Sequence, residues 1–299
     1  MKYLITGATG FVGTALCTRL LAAGHQLTVL SRRPQVAAAT FDCAVNVITS
    51  FAELADTDEF DVVINLAGEA IADQRWSDSR KQQLRESRIA LTTALVNYLR
   101  RCQHRPELLI SASAVGFYGD QGGQVLTELS ASHADFAHEL CRDWEQQALL
   151  AAELGIRVCI LRIGLVLAQG GGILQKMALP FRLGLGGPMG SGKQWMSWIH
   201  RDDLLAMIDY LIVHRELQGI FNATAPEPVT NLEFSRQLAR CYHRPAFCRV
   251  PAWLLRLGFG EMATLLLGGQ RALPQRIQQS GFTFQFNKLS EALQQACRQ

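Results

Sequence analysis

Short apolar runs alternate with helical patterns along the first two-thirds of the chain. Six nearly continuous apolar runs predict strands: KYLIT, QLTVLS, AVNVIT, DVVINLAG, ELLISAS and RVCILRIGLVL. Between them, GTALCTRLLAAG, LTTALVNYLRRC and WEQQALLAAELG repeat apolar residues at helical spacing. Strands that alternate with helices indicate βαβ units, and uninterrupted apolar strands indicate a parallel sheet covered on both faces. The predicted fold class is therefore α/β, with a doubly wound parallel sheet.

The pattern changes after residue 168. The glycine-rich run AQGGGILQKMALPFRLGLGGPMGSGKQW predicts a loop or cap segment over 169–197, outside the sheet. DDLLAMIDYLIVH then predicts a helix and GIFNAT a strand, so residues 198–224 are expected to rejoin the nucleotide-binding domain of residues 1–168. Helices and turns from PEPVTNLEF onward predict a smaller lobe over 225–299.

Composition excludes several classes of protein. With 48% hydrophobic and 18% charged residues, the chain is expected to be globular and not disordered. The net charge of +3 is small and dispersed, so no nucleic-acid partner is expected, and no apolar stretch approaches the ~20 residues that span a bilayer. The eight cysteines form no CxxC pair or zinc spacing, which predicts no metal site and reduced thiols in a cytoplasmic protein.

A glycine-rich turn after the first predicted strand carries the strongest functional signal. In KYLITGATGFVGTAL, Gly7, Gly10 and Gly13 follow a strand and open a helix. Glycine permits a tight turn and a close approach to a pyrophosphate, which the amides of the helix then face. The sequence predicts a dinucleotide site whose cofactor-binding loop comprises Gly7, Thr9, Gly10, Phe11, Val12 and Gly13.

The end of the second predicted strand indicates which dinucleotide binds. An acidic residue there would bind the ribose 2′-hydroxyl of NAD, but TVLSRRPQ places Ser31, Arg32 and Arg33 at this position. Because guanidinium groups suit a phosphate, NADP(H) is the predicted cofactor. The alternative is a solvated surface pair.

Several motifs in a fixed order resemble a known family. TGATGFVG, NLAG, SASAVGFYGD and WIHRDDL are similar to those of the extended, epimerase/dehydratase-like short-chain dehydrogenases/reductases, and CRDWE and PFRLGLGGPMGSG resemble an uncharacterised group within them. The resemblance implies a Rossmann-type sheet with a smaller C-terminal substrate lobe, and a possible homodimer. It also implies that the segment after the fourth strand lines the adenine and ribose side of the cofactor, through Leu66, Ala67 and Gly68. Glu69 is either a site carboxylate or a surface residue, and Arg88 either binds an anion, from the substrate or the cofactor phosphates, or is a helix-surface arginine.

The family's catalytic dyad is absent from this sequence. In the family, a tyrosine acts as the acid or base and a lysine four residues later lowers its pKa. Four residues after the five tyrosines stand Gly7, Cys102, Gly122, His214 and Ala246, and none is a lysine. When Glu145 is aligned with the family's acidic residue, Ala137 and Cys141 occupy the dyad positions.

Other residues are candidates for the chemistry. The resemblance matches Ser113 to the family's substrate-binding serine, and nearby Tyr118 is a tentative catalytic residue or a packed loop aromatic. A further candidate feature is an apolar wall over a planar ligand, formed by Trp76, Trp195 and Trp198, whereas His200 is expected to be structural. The GxxxxGK match of GPMGSGK lacks the following serine or threonine and a preceding strand, so no ATP site is expected.

Two functional hypotheses follow. The first is an atypical NADP-dependent oxidoreductase or epimerase-like enzyme that acts on a small carbonyl or hydroxyl substrate. The family resemblance leaves a sugar-nucleotide-like substrate open. The cofactor would supply the hydride chemistry and the protein the binding and orientation. The second is an NADPH-binding regulatory or scaffold protein without turnover. The sequence favours the enzyme, and fold analogy alone does not decide between them.

Overall fold

The computed structural model describes residues 1–297 as strands and helices around one large sheet. The strands are β1 (Lys2–Thr6), β2 (Gln26–Leu30), β3 (Asn46–Ile48), β4 (Val62–Asn65), β5 (Leu108–Ala114), β6 (Val125–Leu126), β7 (Arg157–Ile163), β8 (Leu165–Leu167), β9 (Trp195–Met196), β10 (Trp198–His200), β11 (Gly219–Ala223), β12 (Val229–Thr230) and β13 (Arg271–Ala272). The α-helices are α1 (Phe11–Ala22), α2 (Pro34–Thr40), α3 (Asp78–Arg85), α4 (Leu91–Arg101), α5 (Phe136–Leu149), α6 (Gly172–Arg182), α7 (Arg201–Val213), α8 (Asn231–Cys241), α9 (Ala252–Phe259), α10 (Thr264–Leu267), α11 (Gln275–Gln279) and α12 (Leu289–Ala296). A π-helical turn, Glu86–Ala90, joins α3 to α4.

Seven parallel strands form the central sheet in the order β11-β7-β5-β4-β1-β2-β3. Alternate residues face opposite sides, so Ile5 and Ile64 pack under α1 and α7 while Leu4 and Val63 pack under α4. This arrangement confirms the predicted α/β, Rossmann-type doubly wound sheet. The direction of winding reverses between β1 and β4, where ligands of such sheets bind beyond the carboxyl ends of the strands.

Strand register brings three predicted ligand-binding segments to one edge of the sheet. Thr6, the last residue of β1, pairs with Leu30 of β2 and with Asn65 of β4. The chain therefore leaves all three strands at the same level, and the loops that follow them are neighbours.

Two predictions of local structure are wrong in detail. The run RVCILRIGLVL forms two strands, because the chain leaves the sheet at Gly164 and Leu165 donates its N–H to the Ser197 carbonyl. A Cβ at Gly164 would lie 2.6 Å from that carbonyl oxygen, so only glycine fits the break. The cap segment is not all loop, since α6 occupies Gly172–Arg182.

The C-terminal part packs around its own apolar cluster, which α8 and α12 form together with Trp198 and Phe286. A second contact joins it to the first domain, where β13 pairs in parallel with β6. Among residues 1–297 no helix is long and apolar enough to cross a bilayer. The boundaries predicted for the domains stay a prediction.

Candidate cofactor site and adjoining cleft

The glycine loop between β1 and α1 has the close packing that its sequence predicted. Gly7 adopts φ +73°, and a Cβ there would lie 2.6 Å from the Leu66 carbonyl carbon. A Cβ at Gly13 would lie 2.1 Å from the Gly7 oxygen, so α1 approaches the loop more closely than any side chain allows. The loop holds Gly7, Thr9 and Gly10 of the predicted cofactor-binding residues, and the first turn of α1 holds Phe11, Val12 and Gly13.

Helix α1 presents free backbone donors at this edge. Its cap, Gly10, offers no side chain, and Thr14 is the first residue whose N–H reaches the Gly10 carbonyl. The N–H groups of Phe11, Val12 and Gly13 therefore lie in the unpaired first turn, which favours an anion. The Phe11 ring itself packs on Gly171 of the cap segment, with the Arg201 guanidinium 5.2 Å from its centroid.

A buried hydrogen-bond network fixes the neighbouring segment after β4. The Thr6 hydroxyl donates to Asn65 Oδ1 at 2.6 Å, and the Asn65 amide donates to Thr92 and Ser111. Thr6 also accepts the Ala67 N–H at 3.3 Å. The backbone of Leu66, Ala67 and Gly68 is thereby held beside the glycine loop.

The residues after β2 form an exposed basic corner. Ser31 is buried, and its hydroxyl accepts the Arg33 N–H at 3.2 Å. Arg33 occupies the N-cap position of α2 without a side-chain cap hydrogen bond, and the side chain of Arg32 is 81% exposed. Two exposed arginines therefore follow β2, at the position that reads the ribose in dinucleotide-binding folds, and guanidinium groups suit a 2′-phosphate.

Glu69 contacts this corner from the segment after β4. Its carboxylate accepts from Arg32 Nη1 at 2.9 Å and from Arg80 Nη1. These two hydrogen bonds, that from Arg32 first, lower the pKa of Glu69. Glu69 is therefore held by two arginines at the rim of the site, and its direct contact with a cofactor stays a prediction.

Arg88 lies in the π-helical turn and covers Gly68. Its Nη2 donates to the Glu69 carbonyl at 2.8 Å, and its guanidinium lies 5.3 Å from the Trp144 ring centroid. Burial lowers the pKa of Arg88, while the nearby Cys141 opposes that shift. The structure thus places a fixed cation near Cys141, which the resemblance aligns with the family's lysine.

Ser113 belongs to a closed polar network. Its hydroxyl donates to Glu145 Oε1 at 2.6 Å, and Glu145 binds the Arg162 guanidinium through both oxygens, at 2.9 and 2.8 Å. Ser113, Glu145 and Arg162 are at most 4% exposed. Because the only proton of Ser113 is donated to Glu145, it is not available to polarise a substrate carbonyl.

Tyr118 extends the same network. Its hydroxyl donates to Asn222 Oδ1 at 2.7 Å and accepts from Arg162 Nη1 at 3.1 Å, and the side chain is fully buried. Burial raises the pKa of Tyr118. In this arrangement the phenol is a structural group, and the catalytic role suggested by its closeness to Ser113 in sequence has no geometric support.

A cleft of about 650 Å³ lies between α5 and the C-terminal part, next to Ala137, which the resemblance aligns with the family's tyrosine. Ala137 lines the cleft, and burial raises the pKa of the Cys141 thiol to about 11, so that thiol carries no charge at neutral pH. Side chains that sequence reasoning missed also line it, notably His133 and Arg256. No motif marks them, since they come together only through tertiary packing.

The remaining aromatic candidates are separated. Trp76 packs on Phe136, Trp198 is fully buried, and Arg271 covers Trp195 at 4.2 Å from its centroid. The expected apolar wall of tryptophans is therefore not formed. His200 caps α7 by accepting the Asp202 N–H at 3.2 Å, in line with a structural role. Within residues 1–297 no cluster of side chains could hold a metal ion.

Two family models match the chain. Residues 3–223 match the NAD dependent epimerase/dehydratase family, and residues 250–296 match a domain of unknown function, DUF1731. The chloroplastic epimerase family protein SDR39U1 homolog of Arabidopsis thaliana is 40% identical, over 98% of this chain and 86% of its own length. The epimerase family protein SERP0438 of Staphylococcus epidermidis is 38% identical, over 98% and 97%.

Two solved structures are also similar to this chain. The human epimerase family protein SDR39U1, solved with NADPH, is 33% identical with a TM-score of 0.89, and the match covers 99% of both chains. A nucleoside-diphosphate sugar epimerase from Corynebacterium glutamicum is 32% identical with a TM-score of 0.79, over 99% of this chain and 58% of that one. The predicted NADP(H) cofactor agrees with the NADPH in the human structure. The chain belongs to the NAD dependent epimerase/dehydratase family.

Proposed function

We propose that the protein binds NADP(H) at the carboxyl edge of the sheet and is an atypical oxidoreductase or epimerase-like enzyme. Its substrate is a small carbonyl- or hydroxyl-bearing molecule in the adjoining cleft. The residues fit the cofactor: Gly7 and Gly13 let the loop turn tightly and let α1 approach it closely, and the first turn of α1 leaves amides unpaired for a pyrophosphate. Arg32 and Arg33 suit the 2′-phosphate. The nicotinamide would supply hydride chemistry.

The cleft is the observation that carries the proposal of an enzyme. It lies beside Ala137, which the resemblance aligns with the family's catalytic tyrosine, and it has room for a substrate. Histidine is the commonest proton-transfer residue of enzymes, and arginine suits an anionic substrate group. We therefore assign proton transfer to His133 and substrate orientation to Arg256. Ser113 and Tyr118 stabilise the structure around the site. A sugar-nucleotide-like substrate is compatible with the name of the Corynebacterium relative.

A cofactor-binding protein without turnover is the second candidate. It is favoured by the closed network of Ser113 and Tyr118, because both hydroxyl protons are already donated inside the protein. In this version the cleft would take a regulatory ligand or a partner segment.

The test measures NADPH oxidation and, by chromatography, conversion or epimerisation of the substrate with nucleotide sugars, nucleotide keto-sugars, short ketones and a deproteinised metabolite extract. Ala134→Trp, which fills the exposed side of the cleft, is expected to abolish turnover while NADPH still binds. Ala131→Trp, a nearby exposed position outside the cleft lining, is the matched control and should remain active. Stoichiometric NADPH binding with neither NADPH oxidation nor a converted or epimerised substrate under any of these conditions would contradict the enzyme and favour the second candidate.

A further inference from the structure

Arg80 stands in a position that costs stability. It occupies the first turn of α3, after the cap Ser77, where the helix dipole disfavours a cation. The side chain is only 8% exposed, and its Nε has no hydrogen-bond partner within residues 1–297. Burying a charge and an unpaired donor is unfavourable unless another group compensates.

The compensating group is Glu69. Arg80 Nη1 binds Glu69 Oε2, and Nη2 donates to the Ala70 carbonyl at 2.8 Å. The backbone of Glu69 is fixed as well, since its N–H donates to Ser87 Oγ at 3.2 Å and its carbonyl accepts from Arg88. Glu69 therefore cannot easily move away from the basic corner after β2.

A fixed carboxylate at this corner has two effects on a 2′-phosphate. It repels the phosphate, and it holds Arg32, the guanidinium that the phosphate needs. Arg80 opposes both effects, because its positive charge, on the buried side of Glu69, partly neutralises the carboxylate. The carboxylate then repels the phosphate less and binds Arg32 less strongly, but still orients Arg32 through a hydrogen bond.

We infer that Arg80 is a specificity-determining residue: by neutralising Glu69 it permits the 2′-phosphate of NADPH to bind at Arg32. This inference rests on the proposed binding of NADP(H). NADH lacks the phosphate, so its affinity is independent of Arg80. Arg80 is a positioning residue, since it acts on the cofactor through Glu69.

The experiment is calorimetric titration of NADPH and NADH into the full chain and its variants at fixed ionic strength. Arg80→Met is expected to weaken NADPH binding on the order of tenfold, the size of one partly screened charge interaction, with NADH changed less than about twofold. The double variant Glu69→Gln/Arg80→Met should restore NADPH affinity, because the unneutralised carboxylate is gone. Lys81→Met is the control: it removes the same charge one residue away, from a side chain paired with Glu261, and should change neither affinity by more than about twofold.

Each other outcome is decisive. Equal weakening of both cofactors by Arg80→Met, or no restoration in the double variant, would mean a purely structural role and overturn the inference. If Arg80→Met does not fold, Glu69→Gln and Glu69→Gln/Arg80→Met are measured instead. The inference requires both variants to prefer NADPH over NADH at least as strongly as the natural chain does. If Arg32→Ala/Arg33→Ala keeps the preference for NADPH, the proposed cofactor site is wrong. If that variant loses the preference but the Arg80 variants bind both cofactors like the natural chain, the cofactor site stands and only the role of Arg80 is wrong.

Discussion

The two sides of the site differ in how their polar groups are used. Around the glycine loop, the first amides of α1 have no partner in their helix and Arg32 is mostly exposed. Around Ser113, each hydroxyl and carboxylate of the network is buried and hydrogen-bonded within the protein. Uncommitted donors are available to a ligand, whereas satisfied buried networks hold a structure together. The side around the glycine loop is therefore suited to ligand binding and is called the binding side. The side around Ser113 stabilises the fold and is called the supporting side.

Breaking the buried ion pair should have the largest effect on the supporting side. Glu145→Ala leaves the Arg162 charge without its carboxylate in a site that is 2% exposed, which is expected to cost about 3–5 kcal/mol of unfolding free energy. Urea unfolding measures this loss. Glu145→Met/Arg162→Met removes both charges and should cost less than Glu145→Ala alone; a double variant less stable than the single one would contradict a role based on unpaired charge.

A methyl group in the glycine loop should have the next largest effect, on the binding side. In Gly13→Ala the new Cβ would meet the Gly7 oxygen at 2.1 Å, and the forced shift of α1 is expected to cost about 1–3 kcal/mol. NADPH affinity should fall at least tenfold, as measured by calorimetry. The control is Gly258→Ala, where the Cβ meets nothing within 4 Å. Normal NADPH binding by Gly13→Ala would refute the assignment of this loop.

Ser113→Ala separates the two sides most cleanly. Loss of the hydrogen bond to Glu145 should lower the unfolding free energy by about 1 kcal/mol, because Arg162 still satisfies the carboxylate. NADPH affinity should be unchanged. A substantial loss of NADPH affinity at unchanged stability would place Ser113 on the binding side instead.

The smallest expected effect is a pH dependence at His200. Burial lowers the pKa of His200, more than the neighbouring Asp202 raises it. The unfolded chain therefore binds the proton more readily than the folded one, and this contribution to stability is lost as the pH falls below the unfolded histidine's value of about 6.5. Urea unfolding at neutral and mildly acidic pH should show a smaller decline for His200→Gln than for the natural chain. Equal declines would contradict the assignment.

Local patterns account for what the sequence predicted. The turn from β1 into α1 is determined by Gly7, Gly10 and Gly13 within one short segment, and apolar runs identify the strands of the sheet. The break at Gly164 depends on the distant Ser197 carbonyl, so the run RVCILRIGLVL gives no sign of it. The frequent glycines and Pro180 likewise obscured α6.

The candidate site divides in the same way. Arg32 and Arg33 are identifiable because they directly follow a strand. Arg80 and His133 are not, since one acts through Glu69 and the other lines a cleft that forms only when α5 meets the C-terminal part. The sequence left the role of Tyr118 open for a related reason: closeness to Ser113 in sequence does not reveal that its hydroxyl donates to Asn222.

The most direct test of the division into a binding side and a supporting side is calorimetric titration of NADPH and NADH into the natural chain and into Arg32→Ala/Arg33→Ala. Arg100→Ala/Arg215→Ala, which removes equal charge at the opposite edge of the sheet, is the control. The account predicts a clear preference for NADPH that the first variant loses, with NADH affinity unchanged, and that the control keeps. Equal, weak binding of both cofactors by the natural chain would contradict it.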